Sequence, residues 1–230
     1  MTEIINWKNV DSHSEDFKSR KPTKWIFIEN FFQKEFYEKL YKTYPKYDNT
    51  WKLSDSYDKV SYRKFWGKWT EELIFEQIQD AQYSKEWNDF VKYLNGEEFM
   101  KKIREFSGVP VTKLKHFQFN LIKKDGFQLP HIHNVGPSTL ILMLYFSKNW
   151  NQGDAGGTYV ASEEDESKLI FEPYKLDNSA MLFQDGPHAA HGVRKVDKDV
   201  ERRAIQVYLE EYSPETGWSG DKKEPNLVEL

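Results

Sequence analysis

Histidines are the candidate metal ligands of this chain. The sequence contains six histidines and no cysteine, so disulfides, thiolate metal sites and a cysteine nucleophile are excluded within it. His131 and His133 stand two residues apart at the end of a predicted strand, so both imidazoles leave the same face and can reach one ion. Taken alone, the pair fits two exposed histidines at a strand end equally well.

A second histidine pair follows the apolar segment at residues 180–183. Histidines three apart in a turn can chelate one ion together, or only one of them can be a ligand. His191 opens the next predicted strand and is the stronger candidate. His188 comes directly after Gly186-Pro187, and we interpret it as a turn residue.

Two adjacent arginines begin the last predicted strand. Strand alternation puts Arg202 on the face that carries Gln206 and Tyr208, and Arg203 on the opposite face. An arginine inside a barrel is costly unless an anion pairs with it, and a carboxylate satisfies its fork of donors. The alternative is that the arginines are solvated at the surface, as at least one of them is expected to be.

Short strands dominate the chain after Pro110. Asp125-Gly126 is a hairpin turn signal, and no helical spacing interrupts the strand-like runs. Their number favours an antiparallel double sheet, that is, a jelly roll or a related barrel. The predicted strands are 114–123, 127–133, 138–146, 157–161, 168–171, 179–184, 189–196 and 202–212.

The amino-terminal half has helical rather than strand spacing after a short strand at residues 24–28. Apolar residues recur at helical intervals in 33–44, 70–82, 87–94 and 99–106, and Gly108 is a candidate C-terminal cap. The predicted class is therefore α+β, mainly β, with a double-stranded β-helix (jelly-roll) core and helices packed outside. We divide the single domain into an arm that we expect to be loosely held (1–23), a helical and lid region (24–109), the core (110–212) and a tail (213–230).

Composition restricts the partners of the chain. Lysine and arginine number 33 against 37 acidic residues, which gives no electrostatic case for nucleic acid. The longest apolar run, Leu140 to Phe146, is too short for a membrane span, and the start lacks a secretory signal. We expect a soluble, cytoplasmic globular protein without membrane or nucleic-acid partners; its oligomeric state is not predicted.

The order of these pieces resembles the iron(II)- and 2-oxoglutarate-dependent oxygenases, in the prolyl-4-hydroxylase-like branch. Each matching piece is short, but their order and spacing together are specific. The resemblance covers about residues 24–212. The matching pieces are 25–32, 128–133, 140–146, Trp150 with 154–159, 181–183, 191–196 and 202–207.

The resemblance implies a site and a reaction. By this comparison His131 and His191 bind iron, and Arg202, eleven residues after His191, binds the far carboxylate of 2-oxoglutarate, with Arg203 as the fallback. Tyr145 lies on the strand that often sends a second group to the co-substrate. The implied reaction uses Fe(II), molecular oxygen and 2-oxoglutarate to hydroxylate an amino acid, a peptidyl residue or a small metabolite, and releases succinate and CO2.

His133 departs from the pattern, because the family has a carboxylate ligand at this position. A third imidazole keeps the number of ligands but removes one negative charge from the metal centre. Three alternatives remain, in this order: His133 is a ligand in a three-histidine site, a carboxylate such as Asp154 or Asp185 completes the triad, or the site is catalytically degenerate.

Three further residues are candidates for the substrate pocket. The aromatic segment 46–69 has no clean period and is interpreted as a lid, with Trp66 reaching the substrate. Gln118 and Asn120, two apart on an apolar strand, are candidates to line the pocket, although an ordinary polar strand face explains them equally well.

The rival hypothesis is a non-catalytic or cupin-like β-barrel that binds a metal through His131, His133 and His191. Such a site needs no buried arginine, so Arg202 separates the two hypotheses.

Overall fold

One antiparallel sheet of eleven strands forms the core in the computed structural model, which describes residues 3–67 and 79–221. A separate two-stranded ladder, β12 with β13, follows it. The strands are β1 (Trp25–Glu29), β2 (Lys52–Ser56), β3 (Lys59–Phe65), β4 (Lys113–Ile122), β5 (Phe127–His131), β6 (Thr139–Phe146), β7 (Tyr159–Ala161), β8 (Leu169–Phe171), β9 (Asp177–Gln184), β10 (His191–Val193), β11 (Arg202–Glu210), β12 (Tyr212–Ser213) and β13 (Gly217–Trp218).

The sheet curls so that strands far apart in its order face each other. The order is β1-β9-β6-β11-β4-β3-β5-β10-β7-β8, with β2 paired to β3. Tyr208 on β11 nevertheless lies within 3.1 Å of His133, which follows β5, although β4 and β3 stand between these strands. This curl creates a concave face and an outer face, and the jelly-roll prediction is confirmed.

The eight strands predicted after Pro110 are all present as β4 to β11. β6 is the clearest example, because its eight residues are all buried. Its alternate side chains pack into two different clusters, one on each face of the sheet. A strand that is covered on both faces reads as a continuous apolar run, which is why its position could be predicted.

Helices cover the outer face. They are α1 (Trp7–Asp11), α2 (Ser14–Ser19), α3 (Lys34–Lys42), α4 (Lys85–Leu94) and α5 (Glu97–Ser107). The predicted stripe of α4 is fully buried against the sheet, and it consists of Trp87, Phe90, Val91 and Leu94. Gly108 ends α5 in the left-handed conformation with φ 66°, as its type predicts.

The amino-terminal arm differs from the expectation of a loosely held segment. Residues 7–19 form α1 and α2, and Trp7, Val10 and Phe17 are buried in the outer-face core. Trp7 Nε1 donates to Tyr93 Oη at 2.7 Å, and the Phe17 ring lies 5.3 Å from that of Phe106. These aromatic contacts hold the arm on the domain.

The segment predicted to be a lid is part of the main sheet instead. Residues 52–65 form the β2–β3 hairpin, and β3 inserts between β4 and β5 in the main sheet. The turn at Asp125-Gly126 is present, with φ 68° at Asp125, but the strands it connects pair with β3 and not with each other. The predicted helix at 70–82 falls mostly outside the described residues, and residues 79–82 are not helical.

The concave face has an apolar floor interrupted by polar and charged side chains. Its cluster includes Trp25, Ile141, Met181 and Phe183. Arg202 and His191 are buried on the same side. None of the helices in the described ranges is long and apolar enough to cross a membrane.

Candidate metal centre

Three histidines meet at one end of the concave face. His131 ends β5 and His191 begins β10, and the two are direct partners in the antiparallel register. His133 lies two residues beyond β5. The ring centres are 4.3 Å apart for His131 and His191, 4.9 Å for His131 and His133, and 5.1 Å for His133 and His191. One nitrogen from each ring lies within 4.8 Å of the others.

Each imidazole has its Nδ1 atom against an acceptor oxygen. His131 Nδ1 is 3.0 Å from Leu129 O, and His191 Nδ1 is 2.6 Å from Ala189 O. His133 Nδ1 is 2.8 Å from Asp185 Oδ2. An acceptor at Nδ1 fixes the proton on that nitrogen and leaves a lone pair on Nε2. The three rings are therefore in the tautomer that a metal site requires.

Burial keeps two of these rings neutral. Burial, together with the nearby charge of His133, lowers the pKa of His131 to about 4. Burial also takes the pKa of His191 well below its usual value, and the ring of Phe183 packs 4.6 Å from it. Neutral imidazoles bind a metal without first losing a proton.

The two candidate carboxylates lie elsewhere. Asp185 is fully buried behind His133, and its Oδ2 atom also accepts from Tyr208 Oη at 2.7 Å. Its other oxygen accepts from Gly186 N at 3.0 Å. Asp154 accepts from Asn151 N at 2.6 Å and forms an ion pair with Lys198. In the described ranges neither carboxylate joins the cluster of imidazole nitrogens.

Asp185 is ionised despite its burial. Burial alone would raise the pKa of this carboxyl, but a charge on His133 and the hydrogen bonds from His133 and Tyr208 outweigh it and hold the pKa below its usual value. The carboxylate therefore orients His133, as an outer carboxylate commonly orients a metal-bound histidine. The negative charge of Asp185 thus lies one hydrogen bond away from the His133 ring.

Arg202 is buried and has no anionic partner in the described part of the chain. It is 1% exposed, its Nε donates to Gly156 O at 2.7 Å, and one terminal nitrogen donates to Thr158 Oγ1 at 3.0 Å. The guanidinium lies 5.1 Å from the ring centre of Tyr145. Arg203, by contrast, pairs with Glu201 at 2.6 Å and is half-buried. The structure thus puts Arg202, and not Arg203, on the interior side.

The segment that begins at Gly156-Gly157 connects the side chains of Arg202 and Tyr145. A Cβ atom at Gly157 would lie 2.0 Å from Pro173 O, so only glycine allows this close approach. Thr158, the next residue, donates its amide to Tyr145 Oη at 2.9 Å and accepts from Arg202. Tyr145 is fully buried beside the guanidinium.

The three substrate-pocket candidates do not lie together in the structure. Gln118 and Asn120 are buried on the concave face of β4, opposite Gln206 and Ala204 of β11. Gln118 Nε2 contacts Asn120 Oδ1 at 3.3 Å and also donates to Gln206. Trp66 is fully buried in the outer-face core, stacked 4.5 Å from Tyr83, a position that leaves it no surface for a substrate.

Sequence reasoning missed two basic residues of this face. Lys59 and Arg63 lie on β3, which was interpreted as part of a lid. Their spacing of four, with Ser61 between them, is the period-two pattern of one strand face and is the signal that could have identified them. His188, predicted as a turn residue, is exposed in a turn and is not part of the cluster.

The comparisons with known proteins give structural neighbours only. No protein-family model and no curated protein matches the sequence. A prolyl-4-hydroxylase of Pseudomonas putida superposes with a TM-score of 0.61 at 10% identity, over 89% of this chain and 100% of that one. A prolyl hydroxylase of Trichoplax adhaerens, in complex with a hypoxia inducible factor peptide, gives 0.54 at 14% identity over 88% of each chain.

A third neighbour is a ligand complex. HygX from Streptomyces hygroscopicus, with nickel, 2-oxoglutarate and hygromycin B bound, gives a TM-score of 0.52 at 12% identity over 81% of this chain and 82% of that one. The chain therefore has the fold that its resemblance to the prolyl-4-hydroxylase-like oxygenases predicts.

Proposed function

We propose that the protein is an Fe(II)- and 2-oxoglutarate-dependent dioxygenase that hydroxylates an amino acid, a peptidyl residue or a small metabolite. The supporting observation is that a cluster of three imidazoles and a buried arginine, which has no anionic partner among the described residues, share one concave face. A barrel that only holds a metal ion has no use for this arginine.

The three imidazoles fit the ion. Imidazole nitrogen is a good ligand for iron, nickel, copper and zinc, at about 2.0–2.2 Å. One ring nitrogen from each of His131, His133 and His191 lies within 4.8 Å of the others, a spacing compatible with one such ion. Three protein ligands leave open positions for a co-substrate and for oxygen.

Arg202 and Tyr145 fit the far carboxylate of 2-oxoglutarate. The guanidinium is held by Gly156 O and Thr158 Oγ1, two neutral acceptors, so its positive charge is available to an anion. Tyr145 Oη accepts from Thr158 N and retains its own proton for donation. A desolvated, charge-assisted pair of this kind is strong and geometrically specific.

When bound, Fe(II) and 2-oxoglutarate would supply the oxidation: one atom of molecular oxygen goes to succinate, the other to the substrate, and CO2 is released. The protein would orient the reactants and exclude water. The apolar floor formed by Ile141, Met181 and Phe183 is suited to this exclusion.

The decisive experiment measures succinate formation from 2-oxoglutarate with Fe(II) and oxygen. We expect turnover even without the substrate at a low, uncoupled rate. Binding of the metal without any binding or turnover of 2-oxoglutarate would instead support the cupin-like, non-catalytic barrel.

Replacing the two arginines separately tests the proposed co-substrate site. Arg202→Ala is expected to raise the half-saturating 2-oxoglutarate concentration strongly, because losing one member of a buried charged pair costs roughly 2–5 kcal/mol. Arg203→Ala should have little effect, since its partner is Glu201. The reverse result would reject Arg202 as the co-substrate residue.

A further inference from the structure

The concave face carries more positive charge than one co-substrate requires. Lys59 and Arg63 lie on the same side of β3, and Arg63 pairs in register with Asn120 of β4. Lys59 pairs with Gln128 of β5, whose Nε2 atom lies 3.1 Å from His131 Nε2. Lys59 therefore lies next to the candidate metal centre, and Arg63 lies next to the predicted pocket residue Asn120 on the same face.

Lys59 has no counterion in the described part of the chain. Its Nζ atom makes no ion pair and no hydrogen bond there, although the side chain is largely buried. Burial, together with the nearby charge of Arg63, lowers the pKa of Lys59 to about 8, and the adjacent Asp58 offsets this only in part. Lys59 is thus mostly charged at neutral pH without a carboxylate to pair with it.

Arg63 is only partly satisfied. One terminal nitrogen donates to Ser54 Oγ at 2.8 Å, but its Nε is buried and has no hydrogen-bond partner among residues 3–67 and 79–221. The hydroxyl of Ser61, between the two cations on the same face, is also buried and unpartnered, as is Gln118 Oε1. Ser61 and Gln118 are each 3% exposed. Buried polar atoms without partners are rare, and a cluster of them points to a missing ligand.

The carboxylates that the described residues bring near this face already have partners, and Asp58 accepts from the hydroxyl of Ser56. Asp185 accepts from His133 and Tyr208, and Glu172 pairs with Arg194 at 2.6 Å. His133 also replaces the carboxylate that the family resemblance would put on the metal. After a doubly negative co-substrate has bound, Lys59 and Arg63 therefore still lack an anion.

We infer that the substrate carries an anionic group, a carboxylate or a phosphate, which Arg63 and Lys59 bind beside the metal centre. The inference rests on the proposed function, because it assigns the co-substrate to Arg202 and the remaining cations to the substrate. An oxyanion matches the planar fork of the guanidinium and can also accept from the hydroxyl of Ser61.

Binding of small anions to the loaded protein tests this inference. The protein is loaded with Ni(II) and saturated with 2-oxoglutarate, and three probes are titrated by calorimetry: inorganic phosphate, N-acetyl-glutamic acid amide, and its neutral counterpart N-acetyl-glutamine amide. We expect one or both anions to bind and the neutral compound not to bind. The stronger anion identifies the class, and equal binding of the acidic and neutral amides, with no phosphate binding, overturns the inference.

Variants of β3 locate the anion. Arg63→Gln and Lys59→Met should each raise the dissociation constant of the bound anion about tenfold or more. Lys64→Gln is the matched control: Lys64 lies on the other face of the same strand, where it contacts Thr50 at 2.6 Å and Asp48 at 3.7 Å, and its loss should leave anion binding unchanged. Melting temperatures verify that the variants fold.

Two outcomes overturn the inference, and a third bears on the proposed function alone. If the anions bind Arg63→Gln and Lys59→Met as they bind the original protein, the cations are not the site. If the anions bind only without 2-oxoglutarate and are lost in Arg202→Gln, they occupy the co-substrate position. If 2-oxoglutarate itself neither binds nor turns over while the anions still require Arg63, the proposed function fails and the anion site stands.

Discussion

The carboxylate behind His133 changes how the departure from the family pattern is interpreted. Replacing an aspartate ligand by histidine removes a negative charge from the metal centre. Asp185 supplies a negative charge nearby, because its Oδ2 atom lies 2.8 Å from His133 Nδ1. A carboxylate at this position raises the basicity of the ligating imidazole and fixes its orientation. The three-histidine alternative is therefore electrostatically more reasonable than the sequence alone indicates.

Asp185→Asn should weaken metal binding. An amide removes the charge and can no longer accept from both His133 and Tyr208 as the carboxylate does, and the loss of such a partner commonly costs about 10- to 100-fold in affinity. Titration with Co(II) or Ni(II) measures the effect. Asp154→Asn is the control, because Asp154 pairs with Lys198 outside the cluster. A larger effect at Asp154 would show that the assignment is wrong.

His133→Asp is expected to bind metal poorly unless Asp185 is changed as well. The substitution restores the family's carboxylate, but it also directs a second negative charge toward the buried Asp185. The double variant His133→Asp with Asp185→Asn removes this repulsion. We therefore expect a favourable coupling between the two substitutions, measured as metal affinity in a double-mutant cycle. His133→Ala should lose the metal, and equal affinity in all variants would exclude His133 as a ligand.

Much of the candidate site was predictable at the level of single residues. Strand alternation brings His131 and His133 to one face, and it separates Arg202 from Arg203 correctly. Asp185 and Lys59 could not be assigned in this way, because their roles depend on which strands the curled sheet brings together. Tyr208 is an example of what strand alternation cannot predict. The sheet face of Tyr208 follows from alternation, but its contact with His133 crosses the barrel and depends on the curl of the sheet.

At the level of elements, the sequence predicted strands and helices well where one period dominates. The stripe of α4 and the apolar runs of β6 and β11 are examples. Strand β3 was not predicted, because its concave side is polar, with Lys59, Ser61 and Arg63. Its other side mixes valine, tyrosine and lysine. A strand without an apolar face has no hydrophobic alternation to detect.

The short helices α1 and α2 were not predicted, for a different reason. They span five and six residues, fewer than two turns, so no periodicity can appear in the sequence. Only their packing reveals them. Phe17 is fully buried against Phe106 of α5, which makes the arm part of the hydrophobic core.

Phe17→Ala should therefore destabilise the whole domain. Removing a buried phenylalanine side chain costs about 3–5 kcal/mol, from lost burial and from the cavity left behind. Urea denaturation measures the change in the free energy of unfolding. Glu15→Ala in the same helix is the control, since the Glu15 side chain is 93% exposed. Equal stability of the two variants would mean that the arm is loosely held after all.

For the whole molecule, the curl of one sheet separates two environments. The outer face is a continuous aromatic and aliphatic core under the helices. The concave face encloses histidines, arginines and amides over a smaller apolar floor. Several of the enclosed imidazoles are neutral in the folded state, and this makes the stability of the molecule depend on pH.

The metal-free protein should lose stability as the pH falls from 7.5 to 5. Burial lowers the pKa of His116 and of His131 to about 4 each, whereas both have a pKa near 6.5 when unfolded. Between these values the unfolded chain binds more protons, so acid favours unfolding by up to about 1.4 kcal/mol per pH unit for each such group. Urea denaturation at several pH values measures the slope. His116→Gln should reduce the slope, and a stability independent of pH would contradict the prediction.

The position of the histidines on short strands has a mechanical consequence. β10 is three residues long and β5 is five, and their ladder is interrupted by a register shift. An ion held by His131, His133 and His191 would cross-link chain segments about sixty residues apart in sequence, where the backbone ladder is short and irregular. The long strands β6 and β11 need no such link. The bound ion would then hold β5 and β10 together at this end of the barrel. Loss of the ion would loosen these short strands but leave the helix-covered half of the sheet intact.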